Sequence, residues 1–240
     1  MRNLIISAKW SMVVLVILLS TQMTVAQFNI KVGYNLGFVS PDVNNSILEA
    51  YNEVQGPAFD DFNPIPGLNL VFGVNLGLRY KFEFAAITFD WEGLNRSISS
   101  VGFTNQAFPN LPISSRFELN YGFNNFMVGL ETSYGRWGIG SNIGRTRISL
   151  TRNTIGDEEF SLFSRSNVSR NQFFARFHLS IDFIGNRTVA FSIRPFIHIP
   201  ITDIDLSPIA QELQVSVPDT EESFPMFGLS FSFYNGRQKR

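Results

Sequence analysis

From Phe28 to Phe38 every even-numbered residue is apolar (Phe28, Ile30, Val32, Tyr34, Leu36, Phe38), while Asn29, Lys31, Gly33, Asn35 and Gly37 fill the odd positions. Leu68 to Tyr80 repeats the rule: Leu68, Leu70, Phe72, Val74, Leu76, Leu78 and Tyr80 alternate with Asn69, Val71, Gly73, Asn75, Gly77 and Arg79. A helix puts residues i and i+2 on different faces and a strand puts them on one. A period of two held this long therefore admits only long strands with one wholly apolar face.

Six further segments follow the pattern. Ile87, Phe89 and Trp91 oppose Thr88, Asp90 and Glu92; Phe117, Leu119, Tyr121 and Phe123 oppose Glu118, Asn120 and Gly122. The phase then slips at Asn124-Asn125, where a bulge would return Phe126, Val128 and Leu130 to the apolar face. Trp137, Ile139 and Ile143 open a fifth strand, and a second slip near Gly144 would put Arg145 and Arg147 on the polar side and Ile148 and Leu150 on the apolar one. Phe173 to Phe183, Val189 to Ile199 and Phe227 to Phe233 bring the expectation to eight strands. Tight turns near 82–85, 135–136 and 185–187 alternate strictly with long polar segments at 39–66, 99–115, 151–170 and 201–223. That asymmetry fits an all-β, eight-stranded antiparallel up-and-down transmembrane barrel with short periplasmic turns and long outer loops.

A soluble barrel with its apolar face turned inward produces the same alternation, so the polar face decides. Solvent would call for many Lys, Glu and Thr; here Gly and Asn dominate, and only 16% of all residues are charged, which fits a narrow packed lumen. Tyr80, Tyr134, Phe183 and Phe233 fall where strands running toward the periplasm end, the level that aromatic girdles occupy. With no cysteine in the chain, disulfide scaffolds, thiolate metal sites and thiol enzymes are excluded. Lys+Arg 19 against Asp+Glu 20 leaves no basic field for nucleic acid.

Residues 1–26 read as a signal peptide: Arg2 and Lys9, an apolar run from Met12 to Leu19, then Thr24-Val25-Ala26 before a cut at Gln27. The run is too short to span a bilayer as a helix. Residues 27–240 then form one barrel domain, bound for the outer membrane of a Gram-negative bacterium.

Directly after that cut, Gln27-Phe28-Asn29-Ile30-Lys31-Val32-Gly33 resembles the opening of the PorT-like outer-membrane β-barrel family, similar in shape to OmpA and OmpX. Gly228-Leu229-Ser230-Phe231-Ser232-Phe233 resembles the signal that outer-membrane chains present to the barrel-assembly machinery, although here the chain continues from Tyr234 to Arg240. The resemblance implies a fold, a compartment, that assembly partner, and contact with outer-membrane lipid and lipopolysaccharide. It does not carry over a secretion-system role.

The polar face of the alternation places Lys31, Arg79, Arg145, Arg147, Arg176 and Arg194 in the lumen against Asp90, Glu92, Glu118, Glu131 and Asp182. Near balance implies ion pairs, because an unpaired charge there costs several kcal/mol. A hairpin that opposes Arg79 to Thr88 sets Asp90 diagonally beside Arg79. His178 and Ser180 lie on one strand face and resemble the pair of outer-membrane lipid A deacylases, but their parity is luminal and Ile181 stands where that family has an asparagine. His198 also has luminal parity, and two separated histidines lack metal-ligand spacing.

The first and last outer segments hold eleven of the 20 acids and no Lys or Arg. Barrel closure makes them neighbours, so Asp60, Asp61, Glu221 and Glu222 are candidate ligands for Ca²⁺ or Mg²⁺ at the rim; a solvated acidic surface is the plainer alternative. Ser46 with Glu49, and Ser207 before Pro208, signal two short helices packed over the mouth. The expected role is non-enzymatic, structural or binding through the outer loops, with a narrow solute channel and a lipid-modifying enzyme as alternatives.

Overall fold

The computed structural model describes residues 27–82, 85–103, 114–156, 164–184 and 189–235. The proposed signal peptide lies outside them. Eight long strands, β1 (Gln27–Val39), β2 (Leu70–Phe82), β3 (Ala85–Phe103), β4 (Ser114–Tyr134), β5 (Trp137–Gly156), β6 (Ser164–Ile184), β7 (Val189–Pro200) and β8 (Met226–Asn235), pair antiparallel with their sequence neighbours, and β1 pairs with β8. The sheet is closed. A circuit of paired residues from Asn29 through Arg79, Thr88, Gly129, Asn142, Arg176, His198 and Met226 returns to β1 at Val39, ten residues up the strand. That stagger tilts the strands by roughly 35–45° to the barrel axis.

Between the long strands stand α1 (Asp42–Gln55) and α2 (Ser207–Glu212). A short strand Asp61–Asn63 extends the sheet beside the outer end of β3, and Ile204–Asp205 pairs with Glu221–Glu222 inside the last outer loop. The turn between β4 and β5 has φ +62° at Gly135, a conformation that other residues adopt only at a cost.

The even positions of β1 and β2 and the odd positions of β8 expose their large side chains outward, among them Ile30, Val32, Leu76, Leu78, Phe227 and Phe233. Phe89, Phe126, Val128, Ile143, Phe173, Phe177 and Ile197 continue the surface around the barrel. Its inner edge carries Tyr134 and Trp137, 92% and 63% exposed. Apolar exposure on this scale is a lipid face rather than a wetted one.

Both expected phase slips are absent. β4 pairs with β3 and β5 in unbroken register, so Phe117, Leu119, Tyr121 and Phe123 share the inward parity of Asn125, Met127 and Glu131 and are buried. On β5, Ile148 and Leu150 likewise point inward while Arg145 and Arg147 are exposed. The apolar side chains change sides because the surroundings change along the axis. Nearer the membrane the inside is polar and the outside greasy, whereas beyond it the outside is wet and the inside is filled by apolar groups.

The segments 99–115 and 151–170 are correspondingly shorter as loops than their polarity implies. β3 runs on to Phe103, β4 starts at Ser114, β5 reaches Gly156 and β6 starts at Ser164. Outward residues there, such as Ser99 and Thr151, carry no belt of hydrophobicity to mark a strand.

Candidate functional site

The interior has two layers. In the inner layer, toward the short turns, Lys31 Nζ lies 2.6 Å from Asp90, and Arg176 is paired with Glu92. The Glu92 carboxylate also accepts hydrogen bonds from Asn35 at 2.6 Å and Asn125 at 3.0 Å. Glu131 is shared: Arg79 bonds one oxygen, Arg194 the other at 2.8 Å, and His178 Nε2 stands 3.8 Å away. The Tyr234 ring lies 5.2 Å from the Arg79 guanidinium and 5.0 Å from that of Arg194, while Phe196 lies 4.3 Å from Arg176. Each of these residues is buried.

Local alternation positions every one of these groups, and small neighbours make the room. A Cβ on Gly77 would sit 2.0 Å from Asp90 Oδ1 and 2.9 Å from Lys31 Cε, so the Lys31–Asp90 pair needs glycine beside it. The predicted register of Arg79 opposite Thr88 is observed, but Arg79 does not pair with Asp90. It reaches across the lumen to Glu131 on β4, while Lys31 takes Asp90. Across a narrow lumen a long side chain finds a carboxylate two strands away, which diagonal pairing rules do not anticipate.

Of the residues assigned to the lumen from sequence, Lys31, Arg79, Asp90, Glu92, Glu131, Arg176, His178 and Arg194 are buried there; Asp182 is half-buried at the inner end. Glu118 is not. With β4 in unbroken register it faces outward, bonded by Ser97 Oγ at 2.8 Å and 4.0 Å from Arg116. Arg145 and Arg147 leave the lumen for the same reason. What remains is four cations against four carboxylates, Asp182 included. Asn35, Asn75 and Asn125 join this network; the parity of Asn35 and Asn75 is luminal in the sequence, whereas Asn125 sits at the expected slip.

His178 and Ser180 are both buried inside, with Phe177 and Leu179 facing lipid. Ser180 Oγ has no hydrogen-bond partner and His178 Nε2 turns to Glu131. The pair therefore points away from the lipid face. His198 is also luminal, stacked on Phe174 with ring centres 3.8 Å apart.

The outer layer is an apolar plug. Asn44, Ile47, Leu48 and Tyr51 make the buried face of α1, the i, i+3, i+4, i+7 spacing of an amphipathic helix. They pack in one cluster with Leu94, Ile98, Phe117, Leu119, Phe123, Ile148 and Leu150 of the wall and with Leu206, Ile209 and Leu213 around α2. Tyr51 stacks on Phe117 at 4.7 Å. On another side of α1, the Asn45 and Asn52 side chains bond the backbones of Leu68 and Ile65, fastening the helix to the chain that returns to β2.

Both helices are present, with different starts. α1 begins at Asp42, four residues ahead of the Ser46–Glu49 box, and the Ser46 hydroxyl donates to the Asp42 carbonyl from within the helix. α2 begins at Ser207, whose N–H and Oγ–H both donate to Asp205 at 2.8 Å. These bonds hold the exposed Asp205 carboxyl below its usual range.

The N-terminus of α1 is capped from the opposite loop. Glu222 accepts the Asn44 N–H at 2.9 Å and that of Val43, which answers the free N–H groups and the positive end of the helix dipole. Glu222, a candidate cation ligand in the sequence, thus acts as the cap of this helix. Asp60 and Asp61 lie instead by the end of β3, with Asp61 opposite Phe103, and Glu221 pairs with Asp205. Among the described residues no group of three or more His, Asp or Glu is placed to hold a metal ion.

No family model and no curated protein matches the chain. Solved structures do resemble it in shape. Ail of Yersinia pestis, crystallised with the heparin analogue sucrose octasulfate, aligns with TM-score 0.43 and 11% identity over 87% of this chain and 98% of its own. Neisserial surface protein A gives 0.43 and 7% over 88% and 97%, and the Escherichia coli outer membrane protease OmpT 0.40 and 8% over 87% and 98%. By its closed sheet and outward apolar belt, the chain is an eight-stranded antiparallel barrel of the outer-membrane type.

Proposed function

We propose that the chain is a non-enzymatic protein of a Gram-negative outer membrane, closed along its axis, that presents its outer wall and cap as a binding surface. The observation that carries this reading is the filled interior. Among the described residues, a void of about 20 Å³ lies in the ion-pair layer and one of about 10 Å³ under the plug, each room for about one water. A solute path would have to cross both. The resemblance of Gln27–Gly33 to the PorT-like family supports the compartment and the entry of β1 into the sheet, and the β8 aromatics support delivery by the barrel-assembly machinery. Planar-bilayer recording on the refolded mature protein tests the reading. Insertion without current above the membrane leak is expected, and steady single-channel steps would replace it with the channel alternative.

A further inference from the structure

Arg145 and Arg147 stand two residues apart on the outer face of β5, both exposed. Register sets Arg145 between Phe126 of β4 and Phe173 of β6, and Arg147 between Asn124 and Asn171. Neither has a carboxylate partner among the described residues. The acid further up the same face of β4, Glu118, is already bonded by Ser97. The two arginines mark an edge. Below them on β5 the outward residues include Ile143 and Ile139, and above them Ser149 and Thr151. This edge faces the long connections and therefore the outer leaflet.

Inward of Arg145, an apolar groove of about 910 Å³ opens on the lipid face. Trp91, Phe126, Val128, Ile143, Phe173 and Ile201 line it together with Ile30 and Leu78, and the buried Lys31 and Asp90 border it from the wall. It therefore crosses six neighbouring strands, wider than one or two aliphatic chains need. Positions two apart on a strand are roughly 7 Å apart, so the two guanidinium forks can grip one phosphate bidentately or two phosphates of one headgroup.

We infer that the outer face from β1 across to β6 docks a phosphorylated, multiply acylated glycolipid of the outer leaflet, with its chains in the groove and its phosphate on Arg145 and Arg147 of β5. Charge complementarity selects a phosphorylated headgroup, and the breadth of the groove selects several chains over the two of a phospholipid. The inference rests on the membrane placement proposed above.

The test uses the mature protein refolded into nanodiscs carrying bisphosphorylated lipid A, its dephosphorylated form, or phosphatidylglycerol. Native mass spectrometry reads retained lipid, and heat-modifiable migration reads insertion. Bisphosphorylated lipid A should be retained, with retention falling about tenfold or more on dephosphorylation or in the Arg145→Gln/Arg147→Gln variant, since charge-assisted bonds of this kind are each worth roughly 1.5–3 kcal/mol. Arg116→Gln, on the same wall but further out, should retain the parental amount. Equal retention by the double variant, or of phosphatidylglycerol by the parent, overturns the site while leaving the membrane placement intact. Failure of the parent to insert removes both.

Discussion

At the scale of single residues, Glu131 carries the most. It neutralises Arg79 and Arg194 at once in a setting where both cations are buried. Glu131→Gln leaves two buried guanidiniums facing a neutral amide, and breaking a buried pair in this way costs about 3–5 kcal/mol. Denaturant unfolding of the bilayer-inserted protein measures it. A loss below about 1 kcal/mol would mean that the arginines move to Asp90 or Asp182. The two faces of β2 make a contrasting pair of variants. Leu76 is the middle of five outward residues from Phe72 to Tyr80, so Leu76→Arg sets a charge near mid-bilayer and should cost roughly 2–4 kcal/mol. Gly77→Val, one residue on, should fail for another reason, by pressing a side chain into Asp90 and parting it from Lys31. In membranes of different hydrocarbon thickness the Leu76 penalty should vary and the Gly77 penalty should not.

Among the elements, α1 is held by a carboxylate that is remote in sequence. Burial, aided by the neighbouring charge of Asp42, pushes Glu222 above the usual carboxylate range even though two N–H groups of the helix favour its ionised form. A raised value in the folded state means that folding favours the protonated carboxyl. The contribution to stability is full below the unfolded value and is lost as pH rises through the raised one. Protease cleavage within 39–66 should therefore be slower near about pH 4 than near about pH 7, and Glu222→Gln should remove that difference. An undiminished difference in the variant would assign it to the other loop acids. Strand identity, register at the β2–β3 hairpin and the existence of both helices were legible because each rests on local periodicity or turn chemistry. The direction of Phe117 to Phe123 was not. Period two states which residues share a face and not which side that face is on, and the change from lipid to plug happens along β4 without any change of phase. The cap on α1 was equally hidden, since local motifs pointed to Ser46 while the acceptor arrives from the far end of the chain.

For the whole molecule, the proposed closure is redundant, since the plug and the ion-pair layer lie one above the other along the axis. Leu48→Ser with Tyr51→Ser should loosen the cap and speed cleavage of 39–66 while conductance stays at the leak. Current in that variant would show that the inner layer alone does not seal. The plug also sets an order of assembly. α1 enters the sequence between β1 and β2 yet packs on β3, β4 and β5, so its site exists only after three later strands have paired. Because α1 lies in the outer layer, on the side of the long connections, it can enter through the mouth of a wall already sealed. Wall and stopper are thus separable steps, and protection of 39–66 from protease should follow protection of the strands.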